Sequence, residues 1–194
     1  MQRRPARSRH GTVNAPTPGR PVALGGFVDR EDAGALLAVA KACRTTLRAD
    51  RPRSGPARVL REALWFIWEG PRLPHPLVAS KYPKSYPWSP GARAVYAEHS
   101  GKRPDGGWGL VIEHLHPREF LVAELLDGTE VAENGRAAEL LGERLMAAVV
   151  TRQEDRQLPT RRQSARPWRE YASDPWLRYR AAGLPLEEFG PLDY

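Results

Sequence analysis

The chain has 194 residues, a formal net charge of +7, 19 prolines and a single cysteine. That length suits one domain with a real core. One cysteine excludes an internal disulfide and a Cys-based zinc knuckle, and no run approaches the ~20 apolar residues of a membrane span, so the expectation is a soluble cytoplasmic protein with no membrane partner.

The charge is unevenly placed. Residues 1–28 hold Arg3, Arg4, Arg7, Arg9 and Arg20 and no acid. Rich in Pro, Gly, Ser and Thr and without periodicity, they are predicted to be a disordered basic tail. Residues 29–194 then form one nearly neutral α+β domain. Arginine outnumbers lysine, which occurs only as Lys41, Lys81, Lys84 and Lys102. Arginine suits phosphate recognition, but abundant Ala, Gly and Pro with almost no Asn points more to coding bias.

Asp29 opens the first element as the cap of a helix with Glu31 and Asp32 in its first turn. Leu36, Val39, Ala40, Cys43 and Leu47 recur at helical spacing, and Cys43 on that stripe reads as an inert buried thiol. A second helix is predicted from about Pro56 to Glu69, ended by Gly70-Pro71. Its apolar face pairs with the first helix as an αα-hairpin, and Trp65 and Trp68 read as core.

Residues 71–88 are too rich in proline for a regular element. Lys81-Tyr82-Pro83-Lys84-Ser85-Tyr86-Pro87-Trp88 is open to two readings. Lys81, Tyr82, Lys84 and Tyr86 can form a stacking and phosphate-contact surface for nucleic acid, or the rings can cover the core, the favoured reading. Ser89 then caps a helix that starts at Pro90 and ends near Gly101.

Trp108 to His116 reads as a strand and Pro117 to Leu126 as a helix closed by Gly128. A helix over 135–145 and a strand from Met146 to Thr151 follow, with Thr151 and Glu154 as a capping box for the next helix. Residues 159–170 are polar and basic, and Arg161 and Arg162 are further candidate contacts to nucleic acid. A short helix spans Asp174 to Ala182. The expected fold is α+β, an N-terminal helical layer packed on a small sheet with surrounding helices.

Chemistry concentrates in Leu110-Val111-Ile112-Glu113-His114-Leu115-His116-Pro117. Strand alternation points His114 and His116 one way and Glu113 the other, a separation that relaxes at a frayed strand end. Two histidines there can share a metal, or act as a base and a substrate-orienting group. If the two strands run parallel, the helices between them form the crossover, and Glu113 and His114 approach Glu154 and Asp155. Carboxylates with imidazole suit Mg²⁺, Mn²⁺ or Zn²⁺. If the strands run antiparallel, the two ends lie apart. The plain alternative is that the histidines are hydrogen-bonded core residues and that Glu113 pairs with an arginine such as Arg118 or Arg152.

Glu113-His114-Leu115-His116-Pro117 resembles the acidic-His-x-x-Pro opening of HNH nucleases, the ββα-metal or His-Me finger family. The resemblance implies an antiparallel hairpin, a divalent metal (Mg or Zn) on Glu113, and His114 as the base that activates water against a phosphodiester. Val149 to Asp155 is similar in position to the family's second strand and helix, with Asp155 where a closing His is expected. The central Asn has no counterpart but Asn134. Two functions follow. The first is a metal-dependent phosphodiesterase, with Glu113 and Asp155 as metal ligands, His114 as base and His116 assisting. The second is a non-catalytic module for nucleic acid or a protein partner.

Overall fold

Local signals fix the helical layer. A computed structural model describes residues 29–47, 54–128, 134–159 and 174–192. The 1–28 tail and the arginines of 161–169, including Arg161 and Arg162, lie outside them. Helix α1 (Arg30–Thr46) is capped by Asp29, whose carboxylate accepts from the Glu31 and Asp32 amides, and it buries Ala33, Leu36, Ala40 and Cys43. Helix α2 (Ser54–Ala63) runs on as a π-helical stretch (Leu64–Glu69) and a 3-10 turn (Gly70–Arg72). The wider turn is explicit at Gly70, whose amide reaches back to the Trp65 carbonyl. Such turns are rare and re-aim the side chains that follow them.

Between these helices and the sheet lies the proline-rich segment. Two short strands survive there, contrary to expectation: β1 (Leu77–Val78) pairs antiparallel with β2 (Tyr82–Pro83). Proline is tolerated because the ladder is only two residues long and at an edge. Helix α3 (Pro90–Glu98) follows, with the Ser89 hydroxyl accepting from the Ala92 amide.

The sheet pairs β3 (Leu110–His114) with β4 (Ala147–Thr151) in antiparallel register, Leu110 opposite Thr151 and His114 opposite Ala147. This overturns the parallel crossover. The connecting helices α4 (Arg118–Asp127) and α5 (Asn134–Arg144) return the chain to the same end of the sheet instead of carrying it across. Trp88 extends the sheet, bridging Val149 on one side and Gly190 on the other. Helix α6 (Arg152–Gln157) carries the predicted Thr151–Glu154 capping box. Helix α7 (Leu177–Ala181) and a 3-10 turn (Leu186–Glu188) complete the chain.

Alternation along the strands divides the core in two. Leu110, Ala147 and Val149 face the helical layer with Leu36, Leu60, Leu64 and Trp68. Ala148 and Val150 face a second cluster with Leu115, Trp176, Tyr179 and Phe189. The architecture is the expected α+β arrangement. Among the described residues, no helix is long and apolar enough to cross a membrane.

Candidate functional site

The same alternation decides where the chemical residues go. His114 faces the helical layer. Its Nε2 lies 2.8 Å from Oε2 of Glu69, the last residue of the π-helical stretch, and both side chains are buried. Burial pushes the Glu69 carboxyl up, but the hydrogen bond from His114 and the charges of His114 and Arg118 outweigh it and hold the carboxyl below its ordinary value. An ionised carboxylate needs a donor, so Nε2 carries the proton. Arg118 Nη1 stands 3.7 Å from Oε1 of Glu69.

Glu113 faces the other cluster. Arg178, on α7, donates from Nη1 to Glu113 Oε1 at 2.8 Å and to the His114 carbonyl at 3.3 Å. The expected arginine partner is thus neither Arg118 nor Arg152. Asp155, on α6, feels the same charges. Burial raises its carboxyl, the Glu113 charge raises it further, and Arg178 and Arg156 oppose. Glu113 and Asp155 are therefore electrostatic neighbours, but the positive charge they share is a guanidinium.

His116 takes no part in this cluster. It is 5 % exposed, its Nε2 has no hydrogen-bond partner among the described residues, and it packs edge-on against Phe120. Burial, reinforced by the Arg144 and Arg178 charges, pushes its imidazole down to about 4. It is a neutral core residue.

The predicted metal set does not fit a divalent ion. Among the described residues no three His, Cys, Asp or Glu side chains converge as ligands. Glu113 is engaged by Arg178 and His114 by Glu69, and these two pairs lie on opposite faces of β3.

Of the two readings of the aromatic segment, the favoured one holds and the base-stacking one does not. Tyr82 and Tyr86 are 7 % and 1 % exposed and cannot stack on bases. The Tyr82 hydroxyl donates to the Leu110 carbonyl, and the Trp88 indole donates to the Pro83 carbonyl, so the rings cover the core. The loop turns its lysine outward instead. Lys81 is exposed and lies 5.2 Å from the centre of the Tyr82 ring. Lys84 is half-buried in the same segment, its carbonyl accepting from the Leu192 amide.

Lys81 stands where two cavities meet. The first, of about 410 Å³, runs along β3 and is lined by Arg61, Glu62, Trp65, Lys81, His114 and Arg118 together with Val111 and Ile112. The second, of about 280 Å³, is lined by Lys81, Arg103, Arg152, Trp108 and the glycines 106, 107 and 109. Five cations thus face one carboxylate, Glu62. Among the described residues Arg61, Lys81, Arg103 and Arg152 make no ion pair. Trp65, expected in the core, is half-buried at the wall of the first cavity, whereas Trp68 is fully buried.

Glu69 and Arg178 are the two partners that no motif in the sequence singles out. Glu69 had a signal, an acid ending the apolar run Leu64-Trp65-Phe66-Ile67-Trp68. Arg178 had none, since its partner is 65 residues away. Comparison with known proteins finds no matching family model, no matching curated relative and no matching solved structure.

Proposed function

We propose that the protein is a nucleic-acid-binding module that grips a phosphate backbone along the face centred on Lys81. The observation that carries this reading is the meeting of two cavities at Lys81, with five cations against a single acid. Cations already tied to carboxylates have little left for a ligand. Arg61, Lys81, Arg103 and Arg152 have no such ties among the described residues, so each can neutralise a phosphate and release its counterions. The half-buried Trp65 adds a ring face of the kind single strands stack upon.

Metal-dependent phosphodiester cleavage is the weaker reading, because Glu113 would have to give up Arg178 before serving as a ligand. Binding needs no rearrangement.

Fluorescence anisotropy with a labelled single strand, titrated across salt, tests the proposal. Four phosphate contacts on a single strand, one for each untied cation, give a slope of log K against log salt of roughly −2.8, about −0.7 per contact. Lys81→Ala should flatten it by about one contact, and Arg103→Gln with Arg152→Gln by about two. Unchanged slopes in these variants would place binding elsewhere on the chain and end the proposal.

A further inference from the structure

We infer that the larger cavity is a subsite for one nucleotide bearing a terminal phosphate, a phosphomonoester, rather than another stretch of backbone track. The inference rests on the nucleic-acid reading and deepens it.

The two cavities that meet at Lys81 differ in kind. The smaller is walled by glycines 106, 107 and 109, and an added Cβ at any of them meets nothing within 4 Å. It is a basic passage, three cations beside glycine backbone, in which a phosphate backbone can lie. The larger has walls of different chemistry. Trp65 and the β3 residues Val111 and Ile112 supply apolar surface, and Arg61, Lys81 and Arg118 supply charge around His114. At about 410 Å³ it lies near the small end of the ~300–1,000 Å³ range of small-molecule sites, which suits one nucleotide.

Charge separates a strand end from its middle. A diester carries one negative charge and a monoester close to two at neutral pH. Three cations against the single carboxylate of Glu62 leave a net charge of about +2 around one opening, which suits a monoester better than a diester. Two side chains of this wall are held in place. His114 is fixed by the buried Glu69 carboxylate at 2.8 Å, and Arg118 is restrained by the same carboxylate at 3.7 Å. Their order is set before a ligand arrives, which lowers the entropic cost of binding. Arg61 and Lys81 are exposed and can close over the phosphate. Trp65 offers a ring face to the base.

A free mononucleotide and the end of a strand present the same chemistry. The test uses the full chain and isothermal titration with four probes: adenosine 5′-monophosphate, and one short single strand carrying a 5′-phosphate, a 3′-phosphate or hydroxyls at both ends. The expected result is that one of the phosphorylated strands binds about tenfold more tightly than the hydroxyl-ended strand. Arg61→Gln and, separately, Trp65→Leu should remove that preference, while Arg103→Gln should weaken all strands alike. Arg61 is exposed and unpaired among the described residues, so its replacement leaves the fold intact. Equal binding of all three strands overturns the subsite and leaves the basic face standing. Binding of the mononucleotide alone, lost in Arg61→Gln, upholds the phosphate pocket and overturns the nucleic-acid face. Absence of binding by every probe overturns both.

Discussion

His116 makes a quantitative prediction possible. Its imidazole is buried, lacks a partner for Nε2 among the described residues, and is pushed from 6.5 down to about 4. In the unfolded chain the same ring titrates at its ordinary value. Between the two values the unfolded state binds the extra proton, so stability is complete above about 6.5 and falls as the pH drops toward 4. The drop from 6.5 to about 4 corresponds to on the order of 3 kcal/mol. That is a large part of the 5–15 kcal/mol by which domains of this size are typically stable, roughly speaking. Urea unfolding followed by tryptophan fluorescence at several pH values measures it, with the denaturant slope checked for constancy. The comparison is with His116→Leu, which keeps an apolar side chain against Phe120 and has nothing to protonate. Other groups titrate in the same window in both proteins, so the difference between the curves isolates this ring. The wild type should lose on the order of 3 kcal/mol more than the variant across the window. Parallel curves would show that water or a partner reaches the ring and would refute the reasoning.

Three further outcomes follow from the geometry. His114→Ala leaves the buried Glu69 carboxylate only the Arg118 guanidinium at 3.7 Å and should cost about 3 kcal/mol, the lower end for a broken buried pair, whereas replacing both His114 and Glu69 with leucine should recover most of that loss, since a buried pair contributes little net stability over apolar side chains; chemical unfolding of the two variants decides. Mg²⁺ or Zn²⁺ should leave the wild-type Tm unchanged, because Arg178 already neutralises Glu113, and a concentration-dependent rise would restore the two-carboxylate metal reading. Trp88→Ala should cost about 3–5 kcal/mol as a large core truncation, with loss of the near-ultraviolet signal as an independent check.

Local chemistry was legible in the sequence. Asp29, Ser89 and the Thr151–Glu154 box announce helix starts because a cap and its amides lie within three residues. Facing residues on β3 followed from simple alternation, which correctly parted Glu113 from His114. Strand direction did not follow, because about thirty connecting residues permit either return or crossover. Glu69 escaped because the π-helical stretch departs from the regular period by which faces are counted. Arg178 escaped because no pattern links it to Glu113 along the chain. The cationic face was half legible. Lys81 stood out in its segment, but Arg61, Arg103, Arg118 and Arg152 are gathered around it only by folding.

The strip around Gly190 and Leu192 bears on the cationic face. The Gly190 carbonyl accepts from the Trp88 amide at 2.7 Å and the Gly190 amide donates back at 3.2 Å, while Leu192 is latched to the Lys84 carbonyl at 2.9 Å. Gly190 and Leu192 are therefore laced to the very segment that displays Lys81. Loosening either latch, at Gly190 or at Leu192, would slacken a lysine more than a hundred positions upstream.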